Sequence, residues 1–120
     1  MTSGNVPDLL VDTDVFVDHL RGATRLQPGR DRILYSVVTR CELFAGTSGH
    51  ELVRELLAAM TEIPIDRAIA EAAGTIRRLY GAPLADALIA AAALERGAGL
   101  LTRNLSDYRG IKGLKVEAPR

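Results

Sequence analysis

Apolar positions along this 120-residue chain fall into short runs separated by polar turns, and the period of the runs alternates. Leu9-Leu10-Val11 is a brief continuous run leading into Asp12-Thr13-Asp14, a pattern that predicts a buried strand and its exit turn. Val15, Phe16, Val17 and Leu20 then predict a short helix closed at Gly22, with Asp14 as its N-cap and Asp12 ending the strand with no capping task. Ile33 to Val38 reads as a second strand, and Thr39 precedes a short helical segment ending near Gly46. From His50 to Met60, the positions Leu52, Val53, Leu56, Leu57 and Met60 make the stripe of an amphipathic helix. A second such helix is predicted from Asp66 to Tyr80, with Ala68, Ile69, Ala72, Ala73, Ile76 and Leu79 inward and Gly81 as its stop. Between these two, Glu62-Ile63-Pro64-Ile65 has room for a very short edge strand, where a proline is tolerated.

Pro83 suits the first position of a further helix, Leu84 to Arg96, and Gly97 and Gly99 lead into Leu100-Leu101-Thr102 as a buried strand. A last short strand is expected around Leu114-Lys115-Val116. Strands alternating with helices over the whole length predict an α/β fold with a mainly parallel sheet of about five strands, each parallel pair joined by a right-handed crossover. With no internal repeat and no linker-like tract, residues 1–120 read as one domain.

Composition narrows the function classes. Fifteen basic and fifteen acidic side chains cancel, so no broad electrostatic attraction to nucleic acid is expected and any such binding must be local. Arg21, Arg25, Arg30 and Arg32 form one cationic cluster, and Arg103, Arg109, Lys112 and Lys115 another; both also read as solvated faces. The single Cys41 excludes an internal disulfide framework and fits a reducing, cytoplasmic setting. The N-terminal segment lacks the basic and apolar regions of an export signal. The longest apolar stretch, Leu84 to Leu94, is interrupted by Asp86 and falls short of the ~18–20 residues of a membrane helix.

In a wound parallel sheet, ligands bind beyond the carboxyl ends of the strands, the edge at which the returning helices begin. That topology sends Asp12, Glu42, Asp86 and Asp107 toward one edge. Asp86 is the most informative, being the one charged side chain in the helix segment Pro83 to Leu94. Held in apolar surroundings, it needs a cation or hydrogen-bond donors, although an acid in a first helical turn is also favoured by the helix dipole. Glu42 has a competing reading too, since Thr39-Arg40-Cys41-Glu42 matches a capping box. Asp107 stands beside Tyr108 in what reads as a polar loop. Carboxylates gathered closely require a neutralising cation, and all-oxygen ligands suit Mg²⁺ or, as a substitute, Mn²⁺. A cysteine nucleophile, a zinc site and a glycine-rich phosphate loop all lack the spacing they require.

These positions lie in segments that resemble the PIN-domain ribonucleases, and among them the VapC-type toxins of toxin–antitoxin modules. The matching stretches are LLVDTDVFVDHLRG from Leu9, SVVTRCELFAG from Ser36, YGAPLADALIAAAAL from Tyr80 and GLLTRNLSDYRGIKGLKV from Gly99. The resemblance implies a three-layer α/β/α fold and a Mg²⁺-dependent endoribonuclease that hydrolyses RNA phosphodiester bonds. It puts the family acids on Asp12, Glu42 and Asp86. The fourth acid falls on Asp107, with Asn104 where many relatives carry the acid. Thr13 and Thr102 match small hydroxyl residues lining the site. It also implies a homodimer, a cognate VapB-like antitoxin and no membrane association, with the two amphipathic helices as candidate contacts. Arg21, Arg40 and Arg103 are candidates to hold flanking phosphates. Two other readings fit a chain of this size: a non-catalytic RNA-binding or scaffold domain of the same fold, and a phosphoacceptor receiver domain.

Overall fold

A computed structural model describes residues 8–23, 26 and 32–119. The predicted strand Leu9–Val11 is β1 (Asp8–Val11), followed after one residue by α1 (Thr13–Leu20). β2 (Arg32–Ser36) runs directly into α2 (Val37–Phe44), and α3 (His50–Ala58) leads to the edge strand β3 (Thr61–Ile63). Then come α4 (Arg67–Tyr80), α5 (Leu84–Arg96), β4 (Gly99–Leu101), the single turn α6 (Leu105–Tyr108) and β5 (Val116–Glu117). Arg25 and Arg30 of the first cationic cluster lie outside the described residues.

The five strands pair in the order β3-β2-β1-β4-β5, all parallel. The chain winds outward in one direction from β1 through β2 to β3, then crosses back to lay β4 and β5 on the other side. Alternation along the strands supplies both faces of the sheet. Leu10, Leu34 and Leu100 face a core built with α4 and α5, while Leu9, Val11, Ile33, Tyr35 and Leu101 face a second core with α1, α2 and α3. The result is three layers, with the sheet between two helical ones. Leu10, Leu34 and Leu100 are fully buried, each adding about 1.5–3 kcal/mol of hydrophobic stabilisation.

Several boundaries differ from the sequence expectation for identifiable reasons. Val37 and Val38 are helical, because the Ser36 hydroxyl accepts from the Val38 amide at 3.1 Å and starts α2 before Thr39 can. The last strand is Val116–Glu117, displaced toward the C-terminus from the expected run. α5 has the expected bounds, Leu84–Arg96, but Pro83 is its N-cap and not its first helical residue. Ala68 and Leu79 on α4, and Leu52 on α3, face solvent instead of the core. The inward stripe of α4 is the narrower set Ile69, Ala72, Ala73 and Ile76. Gly81 ends that helix with φ at 70°, a left-handed cap that a β-carbon would strain. None of the described helices is long and apolar enough to cross a membrane.

Candidate active site

The winding of the sheet changes direction between β1 and β4, and Asp12 stands at that point. Its backbone amide donates to the Leu101 carbonyl at 2.9 Å, so it still belongs to the β1–β4 pairing. Its side chain already serves the next element: Oδ1 accepts from the Thr13 amide at 2.8 Å and caps α1. Oδ2 accepts from the Thr102 hydroxyl at 2.8 Å. The capping task expected of Asp14 therefore belongs to Asp12, because the helix begins one residue after the strand and leaves no room for a later cap. Asp12 is only 5% exposed. Burial pushes its carboxyl up to about 6, with the Thr102 hydrogen bond opposing the rise and the charge of Asp14 adding to it.

Asp14, in the first turn of α1, turns toward the segment after β4. Its Oδ2 accepts from the Arg103 amide at 3.2 Å and the Asn104 side-chain amide at 3.0 Å. Arg103 itself pairs with Asp18 at 2.8 Å. Asp14 clamps the loop that carries Asn104, and Asn104 is committed to that clamp. The other oxygen of Asp14 is buried without a hydrogen-bond partner among the described residues, and burial raises this carboxyl as well.

Glu42 is not bonded back to Thr39 in a capping box, since Ser36 has taken the cap of α2. Instead Thr13 donates its hydroxyl proton to Glu42 Oε1 at 2.6 Å. That hydroxyl also lies 2.9 Å from the Thr39 hydroxyl. Having given its one proton to Glu42, Thr13 must accept from Thr39, which makes a directional chain Thr39 to Thr13 to Glu42. Glu42 is exposed at its end.

Asp86, in the first turn of α5, is half-buried, and its Oδ1 accepts from the Tyr108 hydroxyl at 3.2 Å. Burial raises its carboxyl, with the nearby charge of exposed Asp107 contributing. Tyr108 is 1% exposed, with its ring in the core beneath α5. Burial, then the charges of Asp12 and Asp86, push its hydroxyl far up, so it is a fixed donor. Sequence reasoning passed over Tyr108. The available signal was a tyrosine next to Asp107 in a chain with only three.

The predicted residues thus gather at one edge in two groups. One comprises Asp12, Thr13, Glu42 and Thr102, and the other Asp86 and Asp107, with Tyr108 donating to Asp86. Asn104 points elsewhere, to Asp14. Among the described residues no Lys, Arg or His pairs with Asp12, Glu42, Asp86 or Asp107, whereas Asp8, Asp14, Asp18, Glu51 and Glu62 all have arginine partners. Arg40 is held by Glu62 and Tyr35 and Arg103 by Asp18, so of the three candidate phosphate-binding arginines Arg21 alone has no ion pair among the described residues. Arg21 lines a groove of about 480 Å³ together with Glu42, Val17, Leu20 and Leu52.

An oxygen-only donor set, partly desolvated and without a cation, suits a hard divalent ion. No three of the described acid, imidazole or thiol groups stand close enough to close directly on one ion. An ion held here would therefore have to keep part of its water shell, as Mg²⁺ does.

The sequence model of the PIN domain matches residues 9–109, and the chain belongs to that family; the receiver-domain alternative is thereby set aside. In structure, the chain is similar to one in a toxin–antitoxin complex from Klebsiella pneumoniae, with 30% identity, a TM-score of 0.76, and coverage of 93% of this chain and 98% of that one. It also shares its fold with a chain of VapBC2 from Rickettsia felis bound to a promoter DNA fragment, at 19% identity and a TM-score of 0.81, covering 94% and 99%. A DNA-bound VapBC from Salmonella typhimurium follows at 24% identity and 0.74, covering 93% and 98%. No curated protein matches the sequence.

Proposed function

We propose that this chain is the toxin of a toxin–antitoxin pair and a Mg²⁺-dependent endoribonuclease. The observation that carries the reading is the set of acids at the β1/β4 edge, which no described cationic side chain neutralises. Asp12 and Asp86 are the side chains that would hold the ion, with Glu42 and Asp107 adding negative charge beside them. The chemistry Mg²⁺ brings to such a site is charge neutralisation on phosphoryl oxygens and a lowered pKa for an attacking water. The chain's own hydroxyls do the orienting. Thr102 fixes one oxygen of Asp12, and the Thr39–Thr13 relay aims Glu42. The reaction is hydrolysis of an RNA phosphodiester to a 5′-phosphate and a 3′-hydroxyl. Arg21, lining the groove with Glu42, is the side chain proposed to meet a flanking phosphate.

The 30% identical chain from Klebsiella pneumoniae comes from a toxin–antitoxin complex, which supports an antitoxin as the partner of this chain. Leu20 and Leu52, exposed along the groove that reaches Glu42, are the apolar surface proposed for it. A second copy of this chain is the other partner proposed.

The test is direct. The purified chain should cut RNA in the presence of Mg²⁺ and stop when the ion is chelated. Asp86→Asn should lower the rate by about 100-fold or more with an unchanged circular dichroism spectrum. RNA bound by the parent protein without metal-dependent cutting would refute the nuclease reading in favour of a binding domain of the same fold.

A further inference from the structure

We infer that Tyr108 is a positioning residue of the acidic site, its hydroxyl holding the Asp86 carboxylate toward the cation. The inference rests on the metal-dependent reading above and adds a residue to it. Two separate elements meet at this hydroxyl: Asp86 opens α5, and Tyr108 closes the single turn α6 that follows β4. The ring is anchored below, in the core that also holds Ala87, Ala90 and Ile111, so the hydroxyl cannot follow the carboxylate if it moves. It donates its one proton to Asp86 Oδ1 at 3.2 Å.

The charge of Asp107 repels that of Asp86, and left alone the Asp86 carboxylate would turn toward water. A donor anchored in the core opposes that motion. Thr102 does part of this for Asp12 but makes no hydrogen bond to Asp86. Among the described residues Asp86 has only Tyr108 as a side-chain hydrogen-bond partner. Groups that orient metal ligands in this way typically account for about 10–100-fold in metal affinity.

Tyr108→Phe keeps the buried ring and removes only the hydroxyl. Mn²⁺ alone serves as the probe, titrated calorimetrically into the purified parent and the variant, with the metal-free thermal unfolding of both recorded alongside. The expected result is a Mn²⁺ affinity about 10–100-fold weaker in Tyr108→Phe, with cooperative unfolding retained. A tyrosine serving only the core would shift the unfolding midpoint and leave the affinity alone, and that result overturns the inference while sparing the metal site. A parent that binds no Mn²⁺ overturns both. Should Tyr108→Phe fail to fold, the parent still decides the matter. Paramagnetic Mn²⁺ should broaden the ring resonances of Tyr108 more than those of Tyr35 and Tyr80, and an unbroadened Tyr108 ring overturns the inference.

Discussion

Asp12→Asn should make the metal-free protein more stable at neutral pH. The ionised Asp12 carboxylate is buried, and its proton affinity rises from 3.8 to about 6. At about 1.4 kcal/mol for each tenfold change in that affinity, ionisation in the folded chain costs about 3 kcal/mol more than in the unfolded one. The direction with pH follows from which state ionises first. Below pH 3.8 the carboxyl is protonated in both states and the penalty is absent. Between 3.8 and about 6 the unfolded chain loses its proton while the folded chain keeps it, so stability falls as pH rises. Above about 6 the loss is complete. An asparagine carries no charge, still accepts from the Thr13 amide, and forfeits the hydrogen bond from Thr102 at about 1 kcal/mol. The net gain is about 2 kcal/mol at neutral pH, or roughly 6–10 °C in Tm for a domain of this length. Thermal unfolding of both proteins in the presence of chelator, across acidic to neutral pH, measures it. Added Mg²⁺ should raise the Tm of the parent and leave Asp12→Asn where it was. A variant no more stable than the parent, or one that keeps the parent's decline between pH 4 and 6, would refute the claim that Asp12 is held against its charge.

Thr13→Val removes the link in the hydroxyl relay. Glu42 loses its orienting donor and the buried Thr39 hydroxyl its acceptor, so RNA cleavage should fall about 10-fold and stability by about 1–2 kcal/mol, read from single-turnover rates and urea unfolding. Asp14→Ala opens the clamp on the segment after β4. Hydrogen exchange at the amide of Arg103 should quicken markedly, and unchanged protection there would show that the clamp is held by something else.

Much of this architecture is legible in the amino-acid order because strand and helix periods are local. Leu9-Leu10-Val11 and Leu100-Leu101 declare buried strands, and an aspartate alone in the apolar stretch from Pro83 to Leu94 declares a side chain that needs a partner. Competition between neighbours is what stays hidden. Asp12 and Asp14 are both good caps, and the choice falls to Asp12 because β1 and α1 are separated by one residue. Ser36 takes the cap of α2 from Thr39 and so frees Glu42 to meet Thr13. Tyr108 is invisible for a different reason. Its significance depends on a ring buried under α5 and a hydroxyl reaching an acid far away in the chain, and the one-turn α6 is too short to leave a periodic trace. The misjudged Leu52 and Leu79 lie at the margins of their apolar stripes, where a small rotation of the helix decides between core and solvent.

The strand order has a bearing on how such a chain comes into being. Asp12 and Glu42 belong to the half that builds β1, β2 and β3, whereas Asp86, Asp107 and Tyr108 belong to the half that returns to lay down β4 and β5. The first half is synthesised before the second, so a fragment that stops short of β4 and β5 lacks the complete constellation. The acids come together only when the later strands dock along β1, so the candidate site is the last part of the sheet to be completed.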